Sequence, residues 1–335
     1  MKKLGIVLLI AVICVASVFA QAAEEAAVKT KTIKLGTSRA DDHPTTLGAK
    51  EFARIIEEKT GGRYKVEVYP NDMLGNDAEM FAQLKTGDLE MCIEGINTLA
   101  FISGGEALEI TAIPFLYRDY EHMRKCLLSD AFKPALEQAE KNVGFKILNI
   151  SGDTAPRGLT CNKKILTPDD FKGIKIRTAA SETVMRTMTT LGALPQQIAL
   201  ADVWMALKTG VVDAQENGAI NSNKNSYYEV QKYYMKTDYI RDIETFYISN
   251  QFYDSLSEAD KAIFLEASNA AGELITKLND EQLESVYDEL RAKGMEIITE
   301  PELRLDLIRE KLEGLFNDWD GVKWPAGMLE AFKNM

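Results

Sequence analysis

Few side chains in this sequence are of types that do chemistry, and the first to examine is a cation. Residues 173–181 read GIKIRTAAS. Ile174 and Ile176 alternate with Lys175, the two-residue period of a half-buried strand, so Arg177 stands at that strand's carboxyl end. Ser181 can cap a helix running to about Leu191, with Gly192 as its stop signal. In open α/β sheets, ligands gather in the crevice beyond the carboxyl ends of the strands. A guanidinium there, beside the positive end of a helix dipole, suits an anion. The competing reading is a surface salt bridge. Glu94, at the end of LEMCIEG (89–95), poses the same choice. It either faces a cleft and accepts from ligand hydroxyl or amino groups, or it closes a strand-end ion pair.

Other reactive groups are sparse. The two histidines are His43, in the loop DDHPTT, and His122, in YEHMRK, and neither has metal-ligand spacing around it. No GxSxG elbow, P-loop or GxGxxG occurs. Nucleophilic, metal and nucleotide chemistry are therefore unsupported; the expectation is no enzyme, no cofactor and no metal. A secreted enzyme working through paired carboxylates is the remaining enzymatic alternative.

The elements that must hold these residues follow an α/β pattern. Strands are expected at 32–38, 64–70 and 89–95, with helices near 45–60 and 77–84 between them, largely paired in parallel. The order recurs after FKILNI (145–150): strands near 157–162 and 173–177, the Ser181 helix, a short helix at 202–208, then GVVDAQEN. A long helical pattern from Ser257 toward Ala292 carries no reactive cluster and reads as a brace. The chain opens with Lys2 and Lys3 and an apolar run over residues 4–20, a secretory signal peptide cleaved near Ala20 to Ala22. Its loss takes the formal net charge from −12 to −14, since it removes two lysines and no acid. Such a chain has no general attraction for nucleic acid, so an anion must be held by a local cluster of cations. Cys92, Cys126 and Cys161 remain, an odd number without CxxC spacing, and read as buried free thiols ahead of a single disulfide in an oxidising compartment.

Residues 191–217, LGALPQQIALADVWMALKTGVVDAQEN, resemble the signature region of the DctP family, the extracytoplasmic solute-binding proteins of tripartite ATP-independent periplasmic (TRAP) transporters. Further family-like stretches, in family order, are 43–75, LKTGDLEM (84–91), IPFLY (113–117) and RGLTCNKKILTPDDFKGIKIR (157–177). The resemblance implies a two-lobed α/β binding protein, each lobe a mixed sheet flanked by helices, closing over an organic acid. It places the carboxylate-binding arginine at Arg177, a second pocket arginine at Arg157 and a polar ligand contact at Asn217. Trp204 falls where the family often has tyrosine and is either a pocket wall or core. Asn97 and His43 fall near pocket loops, and Asp153 precedes Arg157 and would orient it. APR at 155–157 departs from the commoner Gly-x-Arg, and DAQEN from DGQEN.

The expected function is a periplasmic receptor for an organic acid, a uronate or aldonate ahead of a C4-dicarboxylate or other carboxylate. Its expected partners are the membrane permease subunits of a TRAP transporter, with no nucleic acid and a monomeric state. A sensory protein partnering a membrane receptor would use the same pocket. The lobes are expected at 31–154 plus 243–282 and at 155–242 plus 283–335, with hinges near 150–156 and 238–246.

Overall fold

The computed structural model describes residues 30–335; the expected signal peptide lies outside them. No helix among the described residues is long and apolar enough to cross a membrane. The chain begins β1 (Lys31–Gly36), α1 (Pro44–Lys59), β2 (Tyr64–Tyr69), α2 (Asp77–Thr86) and β3 (Met91–Gly95). It continues through α3 (Tyr120–Leu127), α4 (Lys133–Val143) and β4 (Phe145–Ile147). Next come β5 (Arg157–Cys161), β6 (Lys175–Thr178), α5 (Glu182–Leu191), β7 (Leu194–Gln197), α6 (Val203–Thr209), β8 (Ala214–Gly218), α7 (Ala219–Lys224) and β9 (Tyr233–Ile240). Last are β10 (Glu244–Ser249), α8 (Asn250–Ser255), α9 (Glu258–Ala292), β11 (Glu296–Ile298), α10 (Leu305–Leu312) and α11 (Met328–Lys333).

Two mixed sheets result, in the orders β2-β1-β3-β10-β4 and β11-β9-β5-β8-β6-β7. In the first, β1 pairs in parallel with β2 (Ile33 opposite Val66) and with β3. The expected parallel pairing ends there, because β10 enters antiparallel between β3 and β4. Ile33 and Leu35 of β1 are buried against Phe52 and Ile56 of α1 and Phe264 of α9. The second sheet is parallel at β6-β7 and β6-β8 and antiparallel at β5-β8 and β5-β9. Pro195 is tolerated in β7 because that strand is an edge.

The chain crosses between sheets after β4 and again, within three residues, between β9 and β10. These crossings lie side by side: Asp153 bridges Ile243, Thr154 N donates to the Asp242 carbonyl at 3.2 Å, and Glu244 N donates to the Gly152 carbonyl at 2.9 Å. α9 runs along both lobes, burying Phe264, Ala267, Ala271 and Ile275 with the first and Val286, Tyr287 and Leu290 with the second. It touches the first crossing directly, where Asn279 Nδ2 donates to the Asp153 carbonyl at 2.9 Å. The C-terminal segment departs from expectation. α10 packs on the second sheet's core, but Phe316, Trp324, Met328, Leu329 and Phe332 are buried in the first lobe's core. These apolar side chains cover α3 and α4, so the assignment of all of 283–335 to the second lobe does not hold.

Candidate ligand-binding site

Strand ends from both sheets converge on one cavity. β5 runs antiparallel to β8, so its first residue, Arg157, lies opposite Gly218 at the far end of β8. β6 runs parallel to β8, which brings Arg177 to the same edge. The first lobe contributes Ser38 and Arg39 beyond β1, Asn97 and Thr98 beyond β3, and Asp77 at the start of α2; the crossing between the sheets contributes Asp242. The inner cavity holds about 40 Å³ and shares Ser38, Asp77, Arg177 and Leu200 with an adjoining hollow of about 250 Å³. A larger surface hollow of about 460 Å³, between residues 113–116 and 309–317, lies away from these strand ends.

Three arginines line the inner cavity, and two are already matched. Arg157 grips Glu216 through two bonds, Nε to Oε2 at 2.7 Å and Nη2 to Oε1 at 2.8 Å, while the Tyr239 hydroxyl donates to Oε2 at 2.7 Å. Arg39 bonds Glu244 Oε1 through Nε at 3.0 Å and Nη2 at 2.9 Å. Burial opposes both positive charges, but the adjoining glutamates more than offset it and hold both guanidiniums above their ordinary pKa. Arg177 differs. It is 4% exposed, its Nε donates to the Ile198 carbonyl at 2.8 Å, and among the described residues nothing accepts from its two Nη groups. Burial accordingly pulls its pKa below the ordinary arginine value.

Asn217 is oriented by its oxygen, which accepts from Gly218 N at 3.0 Å and Asn221 Nδ2 at 2.9 Å; its own Nδ2 bonds no described residue. Arg177, Arg157 and Asn217 thus present unspent N–H donors to one space, a set suited to a carboxylate flanked by hydroxyls.

The cavity wall also includes Asn97 from the sequence-derived set, and omits Glu94, His43, Trp204 and Asp153. Glu94 is fully buried behind the wall and positions Ser38, accepting from its backbone N at 2.5 Å and its hydroxyl at 2.8 Å. Burial, with Asp77 adding, pushes this carboxyl well above the usual range. His43 caps α1, its Nδ1 accepting from Thr45 N. Burial, then Arg39 and Lys224, hold its pKa well below the ordinary histidine value. Trp204 packs beside Val203 and Leu207, with Lys208 Nζ 4.5 Å from its ring centroid. Asp153 pairs with Arg241 at 3.3 Å rather than with Arg157, whose carboxylate partner is Glu216. Sequence reasoning missed Ser38, Arg39, Asp77 and Asp242. The first two follow the carboxyl end of β1, so the strand-end rule that selects Arg177 also selects them; nothing local marks Asp242.

Comparison with known proteins agrees with this architecture. The family "Bacterial extracellular solute-binding protein, family 7" (DctP) matches residues 35–319. A C4-dicarboxylate-binding periplasmic protein of Rhodobacter capsulatus is 30% identical over 265 residues, 76% of this chain and 77% of the relative. A sialic acid-binding periplasmic protein of Vibrio cholerae is 27% identical over 290 residues, 86% and 88% of the two chains. A TRAP periplasmic solute-binding protein of Haemophilus influenzae, solved with bound L-gulonate, superposes with a TM-score of 0.84 at 27% identity, covering 91% of this chain and 99% of its own. With two lobes meeting at an arginine-lined cavity and a family match over most of its length, this chain belongs to the DctP family of bacterial extracellular solute-binding proteins.

Proposed function

We propose that this protein captures a sugar acid, an aldonate or uronate, between its lobes and delivers it to the membrane permease of a TRAP transporter. The observation that carries the reading is Arg177, a buried guanidinium with no carboxylate partner among the described residues. A buried charge is tolerated when paired, and a ligand carboxylate is the missing partner. Arginine's planar fork matches that carboxylate in two bonds. Arg157 and Asn217 then serve neighbouring oxygens, and the two crossings and α9 are the segments about which the lobes close. The L-gulonate held by the Haemophilus protein supports a sugar acid. The C4-dicarboxylate-binding relative supports a dicarboxylate as the second reading.

We read the protein as a receptor without catalysis. His43 caps a helix, the His122 ring bonds the Phe332 carbonyl and the Arg118 backbone N, and neither lines the cavity.

A thermal-shift panel of aldonates, uronates, dicarboxylates, keto acids and amino acids tests the reading on the mature chain. At about 100 times its Kd, a ligand stabilises by roughly 2.7 kcal/mol, a rise of several degrees. Arg177→Gln should abolish the shift for that acid, a loss of ~2–5 kcal/mol in binding. A shift that survives this substitution would displace Arg177 as the anchor. Turnover of the bound acid on prolonged incubation would overturn the receptor reading.

A further inference from the structure

The cavity carries a carboxyl that its arginines do not need. Arg39 is matched by Glu244 and Arg157 by Glu216, and Arg177 is free for the ligand's carboxylate. Asp242 remains. It sits in the short crossing between β9 and β10, is 3% exposed and lines the inner cavity. Its Oδ1 accepts from Ile243 N at 2.9 Å and from Asn97 N at 3.4 Å, while no described residue donates to Oδ2. The space around Oδ2 depends on Gly95, where an added Cβ would lie 2.1 Å from that oxygen. Burial pushes Asp242 up to about 7, with Glu244 adding and Arg157 opposing. Asp77, on the same wall, also has a buried oxygen, Oδ1, with no hydrogen-bond partner.

We propose that Asp242 is a specificity-determining residue: it accepts a hydrogen bond from a hydroxyl of the bound acid and excludes a second carboxylate. The site is thereby selective for polyhydroxy monoacids over diacids with the same carbon skeleton. This rests on Arg177 binding an organic acid, as proposed above. A ligand hydroxyl supplies the donor that Oδ2 lacks. Above pH ~7, where Asp242 is ionised, a second carboxylate would set acceptor against acceptor and like charge against like in a desolvated space. Arg39 offers it no net positive charge, because Glu244 already neutralises that guanidinium.

Titration calorimetry on the mature chain at pH ~8.5, where Asp242 is ionised, tests this with L-gulonate and L-galactonate against their diacids, D-glucarate and galactarate. The wild type should bind a monoacid at least roughly tenfold more tightly than its diacid. Asp242→Asn, which keeps the shape and removes the charge, should shrink that ratio by about tenfold. Asp242→Ala, which removes the acceptor, should weaken the monoacid by about fivefold or more. An unchanged ratio in both variants overturns the assignment. If Arg177→Gln abolishes binding while both Asp242 variants keep the ratio, the acid-receptor reading stands and the role of Asp242 falls. If neither the monoacids nor the diacids bind the wild type, both fall.

Discussion

Arg177 and Glu216 are buried charges of opposite standing. Glu216 holds Arg157 by two bonds and accepts the Tyr239 hydroxyl, so every neighbour depends on it. Removing it strands a buried guanidinium and a buried phenol. Glu216→Ala should therefore cost ~3–5 kcal/mol in unfolding free energy, read from urea melts of the unliganded protein. Arg177 has no carboxylate to strand, and its own charge is what burial penalises. Arg177→Gln should raise unliganded stability by about 1 kcal/mol while binding is lost. A destabilised Arg177→Gln would mean that the cation is structurally paired in the free protein. The sequence led to Arg177 because strand alternation locates a strand end without any knowledge of the fold. It led wrongly to Asp153, because adjacency to Arg157 in the chain says nothing of the antiparallel neighbour β8 that supplies the true partner.

Helix α9 meets the crossing segment at Gly272. A Cβ there would stand 2.1 Å from Ser151 Oγ and 2.6 Å from the Ser151 carbonyl oxygen. In an exposed helix, Gly→Ala gains roughly 1 kcal/mol; here the backbone contact cannot yield, so the clash wins. Gly272→Ala should destabilise by ~1–3 kcal/mol and weaken ligand binding, because the segment it displaces joins the lobes. Stabilisation by this substitution, measured in the same melts, would show that the helix and crossing are loosely held. The long helix itself was plain in the sequence, from its Ser257 cap and sustained period. β10 was not: ETFYIS is buried at all six positions, so no alternation marks it as a strand. β7 was hidden for the opposite reason, since it is short, mostly exposed and contains Pro195.

Among the described residues, burial raises Asp238 and Glu94, and it lifts three further carboxyls from the ordinary value near 3.8: Asp242 to about 7, and Asp153 and Asp72 to about 6. The unfolded chain releases these protons near pH ~4, the folded protein only near 6 to 7. The native state therefore binds more protons across that window, and stability falls as pH rises through it. Below it the sign reverses: Asp260 is held low, first by its hydrogen bonds with Arg63, and protonating it removes stability. Unliganded Tm should therefore peak near pH ~5 and fall by several degrees toward pH ~8. Asp242→Asn should flatten that decline, and a Tm that climbs from pH ~5 to ~8 would contradict the assignment.

The sequence alone determined that two α/β lobes form, that a long helix braces them, and that one arginine stands at a strand end suited to an anion. These follow from periodicity, caps and strand order, which are local and survive without neighbours. Only the tertiary structure decided which arginine is free, that Glu216 and Glu244 neutralise the other two, and that Asp242 is left over. It also packed Phe316, Trp324, Met328, Leu329 and Phe332 into the first lobe's core. Charge pairing and core burial are made between segments far apart in the chain, as Arg39 and Glu244 are, and no local pattern encodes them.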